Sequence, residues 1–309
     1  MSTYFYKAFG LILKSINLEL PELEKTDFNN NVDLIIREED SNNWPNIKEN
    51  INATPFLNFA EDDLRLDIEG ICKIRVYDRK IIAWEKFDKT IDKNEIRVFL
   101  LGSAIGALLI QKNFLVLHGC SLEKEGKSIV CLGISGSGKS TLAYALMEAG
   151  WNILADDIVA INSNGNVLPG IPRVKLWLDA INQFDLEQKK LLRVRKNLNK
   201  YSLFGNDIKK CFQETPLEAI YFIKNRNVDK TPNQKIFEAI NSKKLSLLLI
   251  RNLSFRPRFI KGLNKEALNF LKIIEIIKKT RLYSLYLPSK IEDLRQICRR
   301  DIFLTNSFH

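Results

Sequence analysis

Histidine and metal-ligand pairs of cysteine are scarce in this chain of 309 residues. It has two histidines, and its five cysteines form no C-x-x-C pair, at Cys72, Cys120, Cys131, Cys211 and Cys298. A structural zinc site needs closely spaced Cys or His ligands, and a disulfide framework is typical of short, cysteine-rich secreted chains. The sequence therefore predicts neither, and we interpret the cysteines as reduced thiols.

Long hydrophobic runs are also lacking. The most apolar stretch, residues 98–110, has 13 residues, whereas a helix that crosses a membrane needs about 20. The first six residues have no basic region followed by an apolar one, as a signal peptide would. We therefore expect residues 98–110 to form a buried helix and the protein to be cytoplasmic, with no membrane partner.

Charge is unevenly distributed. The net charge is +10, but residues 1–70 carry 6 Lys and Arg against 14 Asp and Glu, which leaves a balance of +18 on the remainder. With 45% hydrophobic and 27% charged residues the composition is that of a globular protein. The asymmetry indicates two units, and the basic part suits nucleic acid, a membrane surface, or an anionic nucleotide and acidic peptide. Charge alone does not choose among these partners.

The hydrophobic patterns predict two domains. Residues 1–90 contain short alternating segments, such as residues 64–68 and 71–77, which are typical of a small β-rich domain that recognises a substrate or has a structural role. A capping box, Asp92 with Glu95, predicts a helix to about residue 112 and the start of a second domain, residues 91–309. Further helices are predicted at residues 140–149, 186–196 and 264–279, and strands at residues 114–122, 127–132, 152–161, 219–223 and 283–287.

One motif carries specific chemistry. Residues 133–140 match G-x-x-x-x-G-K-[ST], in which backbone amides surround a phosphate, the Lys reaches the outer phosphates and the Ser hydroxyl binds magnesium. The motif follows a predicted strand and opens a predicted helix, whose N-terminus attracts anions. We expect ATP with Mg²⁺ to be held by Gly133, Ser135, Gly136, Ser137, Gly138, Lys139, Ser140 and Thr141.

Two acidic residues follow the motif at a distance that would return the chain to the same end of the sheet. Asp156 and Asp157 lie far enough beyond Lys139 for the chain to form one helix and return along a neighbouring strand. Both could then face the γ-phosphate, as a magnesium ligand or as the group that meets the acceptor hydroxyl. His118 ends the predicted strand before the loop, where an imidazole can contact a phosphate or influence an Asp.

Together these segments resemble a known family. Leu117-His118-Gly119, the loop 133–140 and residues 154–157 resemble the catalytic domain of HPr kinase/phosphorylases in order and spacing. Residues 167–177 look like the Pro-Gly…Lys-Leu-Trp stretch of shorter HPr-kinase-like proteins, including kinases of lasso-peptide precursors. The chain departs from the family at Ile134 and Thr141, where acidic residues are usual, and it lacks a Glu-Ile-Arg-Gly-Leu-Gly signature.

The resemblance implies a fold and an activity. The fold would be α/β, with the phosphate loop (P-loop) in a mixed sheet flanked by helices, as in phosphoenolpyruvate carboxykinases and HPr kinases. The activity would be transfer of the ATP γ-phosphoryl group to a serine of a peptide or protein. His118, Lys139, Asp156 and Asp157 would be catalytic, and Ser140 and Asp157 would bind the metal.

The sequence does not decide which further cations lie near the phosphates, and it leaves alternative functions open. Arg173, Lys175 and Lys200 are candidates for an additional positive charge near the phosphates. A nucleotide-gated binding protein and a kinase of a small metabolite are alternative functions, because the loop does not fix the acceptor. Nucleic-acid binding has no recognisable reading motif to support it, and a homo-oligomer remains open.

Overall fold

The computed structural model describes residues 2–27, 30–47, 53–195, 198–224 and 236–304. These residues form a mixed α/β structure that packs as two compact units. Unit 1 comprises Met1–Val116 with Phe255–Leu271, and unit 2 comprises Leu117–Ser254 with Lys272–His309. The helix expected to open the second domain therefore packs within unit 1. The two functional domains, divided at residue 90, stay a prediction.

Unit 1 is built on one eight-stranded sheet with the order β3-β1-β2-β4-β8-β7-β6-β5. Its central strands alternate: Cys72, Ile74 and Val76 are fully buried, whereas the residues between them are half-buried. This is the period-two pattern of a sheet with one face on a core. The strands are β1 Thr3–Ala8, β2 Leu11–Ile16, β3 Glu24–Lys25, β4 Leu34–Glu38, β5 Leu57–Ala60, β6 Asp63–Ile68, β7 Cys72–Tyr77 and β8 Ile81–Lys86.

The apolar stretch of unit 1 forms a continuous helix, Lys93–Gln111, which among the described residues is long and apolar enough to cross a membrane. Its parts are α1 Lys93–Phe99, a π-helical segment Leu100–Ala104 and α2 Ile105–Gln111. The Asp92 side chain accepts from the amide of Asn94 and so caps its start. Within its most apolar window 72% is buried, as expected of the core helix of a soluble protein.

Unit 2 contains the predicted phosphate loop and eight strands of a nine-stranded sheet, whose remaining strand, β9, includes two residues of unit 1. In this sheet β12-β10-β11-β18-β14-β13-β9 are neighbours, β20 pairs with β18, and β19 pairs with β20. β15, β17 and β16 form a separate three-stranded sheet. The strands are β9 Leu115–Leu117, β10 Gly119–Lys124, β11 Lys127–Leu132, β12 Asn152–Asp156, β13 Val159–Ile161, β14 Asn166–Val167, β15 Arg173–Trp177, β16 Leu192–Arg193, β17 Lys200–Phe204, β18 Thr215–Lys224, β19 Phe237–Ala239 and β20 Arg281–Tyr286.

The helices that follow are α3 Lys139–Glu148, α4 Leu178–Gln183, α5 Lys243–Asn252, α6 Pro257–Gly262, α7 Glu266–Lys279 and α8 Ile291–Arg299. Short 3-10 helices lie at Ser41–Asn43, Gln188–Lys190, Gly205–Asp207 and Asp301–Phe303. Helix α3 packs with Leu142, Ala143 and Leu146 fully buried against the nine-stranded sheet. This fixes the loop in front of α3 to the sheet.

The predicted helix over residues 186–196 is wrong over the residues described there. Residues 188–190 form a 3-10 turn, and Leu192 and Arg193 form β16, paired with Ser202 and Tyr201 of β17. A run of leucines and basic residues fits a helix locally, but pairing with β17 overrides that local preference.

The helix of unit 1 offers a matched pair of glycines as a packing test. A Cβ on Gly106 would lie 2.2 Å from a ring carbon of Phe255, whereas a Cβ on Gly102 would meet nothing within 4 Å. We expect Gly106→Ala to destabilise the protein by about 1–3 kcal/mol through overpacking. Gly102→Ala is expected to be neutral or stabilising by up to about 1 kcal/mol, since alanine favours helix. Denaturant unfolding measures both, and equal effects would contradict this packing.

Candidate functional site

The loop of residues 133–138 connects β11 to α3, which is the strand–loop–helix setting in which G-x-x-x-x-G-K-[ST] sequences hold phosphate. Gly136 and Gly138 have φ angles of 80° and 94°, which side chains other than glycine rarely adopt. At Gly133 a Cβ would lie 2.5 Å from Ser137 Oγ. The path of the loop therefore requires glycine at positions 136 and 138, and Gly133 leaves room for the Ser137 side chain.

Lys139 lies at the first position of α3 and is 8% exposed. Its Nζ donates to the carbonyl oxygens of Gly133, at 2.8 Å, and Ile134, at 2.9 Å. Burial lowers the pKa of Lys139. The ammonium group is thus held over the loop by two carbonyl groups, a position from which it can reach a phosphate.

Three strand ends bring the other predicted residues to this loop. Gly119 of β10 pairs with Leu132 of β11, and Cys120 pairs with Asp156 at the end of β12. The residue before Gly119 and the residue after Asp156 therefore reach the same end of the sheet as the loop. This register explains why His118 and the two Asp residues gather there.

Asp156 is the partner of the loop serine. Ser140 Oγ donates to the Asp156 carboxylate, 3.1 Å from Oδ2 and 3.3 Å from Oδ1, and the backbone N–H of Lys175 donates to Oδ2 at 3.1 Å. Asp156 is 2% exposed. Burial, and then the neighbouring Asp157 charge, raise its pKa.

Asp157 has different surroundings. It follows the end of β12 with a φ of 71°, and its side chain forms a short ion pair with Lys175. An Arg173 nitrogen lies 3.9 Å from the same oxygen. Burial alone would raise the pKa of Asp157, but Lys175 and Arg173 outweigh it and hold the pKa well below its usual range.

The assignment of Ser140 and Asp157 as metal ligands stays a prediction, and the structure adds Asp156 as a carboxylate beside the Ser140 hydroxyl. The serine hydroxyl faces Asp156, while the Asp157 carboxylate is occupied by the Lys175 ammonium group. Arg173 and Lys175 are buried, at 2% and 8% exposed. The sequence did not predict this burial, since it identified both residues only as candidate cations. Their spacing of two residues along one strand could have predicted that both side chains lie on the same face of the sheet.

His118 contacts the same segment. Its Nδ1 lies 3.1 Å from the backbone carbonyl oxygen of Asp157, and its own backbone N–H donates to Leu253 O. Because a carbonyl only accepts, Nδ1 carries the proton and Nε2 of the neutral ring is left as an acceptor. Burial, and then the positive charge of Lys139, lower the pKa of His118. Both effects favour the neutral imidazole.

Magnesium with nucleotide phosphate fits the residues present. Ser140 and Asp156 offer hard oxygen ligands, which Mg²⁺ prefers together with waters and phosphate oxygens. The Ser137 hydroxyl in the loop is buried and has no hydrogen-bond partner among the described residues. No group of three His, Cys, Asp or Glu side chains able to hold a metal occurs in that part of the chain. A metal here would accordingly share its coordination with the nucleotide.

Known proteins are similar to part of this chain. The HPr kinase/phosphorylase of Chlorobium phaeobacteroides is 31% identical over 124 residues, 36% of this chain and 37% of that protein. That of Treponema pallidum is 46% identical over 57 residues, 18% of each chain. This chain thus spans about a third or less of the curated relatives it matches. No family model matches it.

A solved structure, the Hpr(Ser) kinase/phosphatase from Coxiella burnetii, aligns with 60% of this chain and 91% of its own, at 12% identity and a TM-score of 0.29. The site is that of an α/β protein with a phosphate-loop sequence. The predicted resemblance to HPr kinase/phosphorylases is confirmed by the curated relatives over the part of the chain that they match.

The ion pair at Asp157 predicts a stability effect. Asp157→Asn would leave the Lys175 ammonium group buried without its carboxylate, so we expect the free energy of unfolding at pH 7 to fall by about 2 kcal/mol, less than for a fully buried pair. Since the folded-state pKa of Asp157 is lowered, its contribution is present above about pH 4 and is lost as the pH falls further.

Asp185→Asn is the matched control, because Asp185 is exposed and also has a positive φ, 56°. Asparagine tolerates that conformation at both positions. Denaturant unfolding of the two variants measures the difference, and an equal loss of stability would contradict the ion pair.

The depressed pKa of His118 predicts its titration. In a His309→Gln variant, the remaining imidazole should titrate below 6.5 by NMR and keep its proton on Nδ1 when neutral. Because the folded pKa lies below the unfolded one, His118 should reduce stability as the pH falls below about 6.5. Titration above 6.5 would show that the ring is not buried beside Lys139.

Proposed function

We propose that this chain is an ATP-dependent kinase that transfers the γ-phosphoryl group to a serine hydroxyl of a peptide or protein in the cytoplasm. The observation that carries the proposal is the hydrogen bond between the hydroxyl of Ser140, a residue of the phosphate-loop motif, and the carboxylate of Asp156. This contact lies beside the ion pair of Asp157 with Lys175. A precursor peptide made by ribosomes, of the lasso type, is the acceptor that the motifs favour. The partial similarity to HPr kinase/phosphorylases supports the reaction class.

The nucleotide would be bound by the loop. Its backbone amides, the Ser137 hydroxyl and the Lys139 ammonium group, which now contacts two loop carbonyl oxygens, would bind the phosphates. Ser140 and Asp156 would be the residues that hold magnesium. When bound, ATP with magnesium supplies the phosphoryl group and neutralises charge on it.

Asp157 would contact the acceptor hydroxyl. Its carboxylate is 23% exposed, stays ionised because of Lys175, and lies outside the Ser140–Asp156 contact. We therefore assign it the role of orienting the serine hydroxyl and accepting its proton as the new bond to phosphorus forms. His118 fixes the Asp157 backbone through the carbonyl oxygen, which positions this carboxylate.

Transfer of label from γ-labelled ATP tests the proposal. The purified chain is incubated with magnesium and serine-containing peptides and proteins, HPr included, and labelled serine is identified by mass spectrometry. Lys139→Ala should abolish transfer, and Asp157→Asn should lower kcat about 10²–10⁴-fold with ATP still bound. Transfer that survives in both variants would refute the assigned roles.

Two other outcomes would replace the proposal. ATP binding without transfer to any acceptor would favour a nucleotide-gated binding protein. Label that moves to a small molecule and to no serine would favour a metabolite kinase. Peptides with the serine replaced by alanine are the control for the acceptor atom.

A further inference from the structure

The three-stranded sheet β15-β17-β16 has one face in the core and one face toward the candidate site. Val174 and Leu176 of β15 belong to the buried core, with Tyr201 and Leu203 of β17 directly opposite them. Since side chains alternate along a strand and direct partners share a face, the other residues of these strands form the second face.

The second face begins at the residue that forms the ion pair with Asp157 and extends across the other strands. Lys175 pairs with Ser202, and Ser202 pairs with Leu192, while Trp177 pairs with Lys200. We name these five residues the acceptor face. It starts at Lys175, whose ammonium group contacts Asp157, and extends across three strands.

The acceptor face has an apolar surface that the described residues do not cover. Trp177 is 49% exposed and Leu192 is 39% exposed. Lys200 Nζ lies 5.7 Å from the centre of the Trp177 ring, which keeps the ring in place by a cation–π contact. A large, rigid aromatic side chain exposed beside reactive groups is a typical anchor point for a peptide.

A polar group on the same face lacks a partner. Ser202 is 6% exposed, and its hydroxyl is buried without a hydrogen bond in the described part of the chain. An unpaired buried hydroxyl costs roughly 1–3 kcal/mol. It lies opposite Lys175, where a group of a bound acceptor would satisfy it.

We propose that the acceptor face binds the segment around the acceptor serine and selects a large apolar side chain two residues from that serine. This inference rests on the proposed function. Trp177 is two residues from Lys175 on one strand, a separation of about 6.8 Å, which equals two residues of an extended peptide. A serine at Asp157 therefore places such a side chain on Trp177.

Positional peptide libraries test the inference. Peptides with a central serine and each flanking position varied in turn are phosphorylated with γ-labelled ATP by the full chain. We expect a preference for aromatic or large aliphatic residues at one position two residues from the serine. Trp177→Ala should lose this preference and raise KM for the preferred peptide about 10-fold, with KM for ATP unchanged.

Phe212→Ala is the matched control. Phe212 is also a half-exposed aromatic residue, 43% exposed, with Lys210 Nζ 5.3 Å from its ring centre. It follows Cys211, which pairs with Ile153 toward the start of β12, away from Asp156. This variant should keep the preference. Ser202→Ala tests the hydroxyl and should raise KM for peptide without changing KM for ATP.

The outcomes separate the two proposals. Transfer with no apolar preference two residues from serine, or a preference that survives in Trp177→Ala, overturns the acceptor face and leaves the kinase intact. A wild-type chain that labels no serine in any library overturns the kinase, and the acceptor face with it.

Discussion

The contact of Lys175 with both aspartates is the interaction on which the candidate site depends. Its backbone N–H holds Asp156 and its ammonium group holds Asp157, so one residue of β15 fixes two carboxylates at the end of β12. Two adjacent carboxylates repel each other, and burial adds to the cost of their charge. The opposite shifts of their pKa values follow directly: Asp156 is raised and Asp157 lowered.

In this arrangement the two aspartates have different surroundings, which suit different roles, whereas the sequence alone did not distinguish them. The carboxylate with the raised pKa faces the loop serine, and the ionised one faces away from it toward Lys175 and Arg173. A phosphoryl-transfer site needs both kinds of group, one beside the metal and phosphates and one at the acceptor. The buried charges destabilise the fold unless they stay paired, so their position here is consistent with a functional site.

Local chemistry explains what could be predicted from the sequence. The loop, β11 and α3 follow from glycines, an apolar run and a helix start within about 20 residues, and they lie where expected. The buried helix 93–111 likewise follows from its cap and composition. The contact of Ser140 with Asp156 did not follow, because the register of β10, β11 and β12 determines it, and the Lys175 amide that also holds Asp156 lies 19 residues further on. The strand β16 was missed for the same reason: its pairing partner β17 determines it, and its own residues favour a helix.

The proposed function requires the phosphate loop and Asp156 to form one site for nucleotide with magnesium. Calorimetric titration of ATP in the presence of Mg²⁺ or EDTA, with the wild-type chain and Asp156→Asn, tests it most directly. We expect magnesium to tighten ATP binding at least about 10-fold in the wild type and to have little effect in the variant, which should still bind metal-free ATP. An equal magnesium effect in both proteins, or no ATP binding by the wild type, would contradict it.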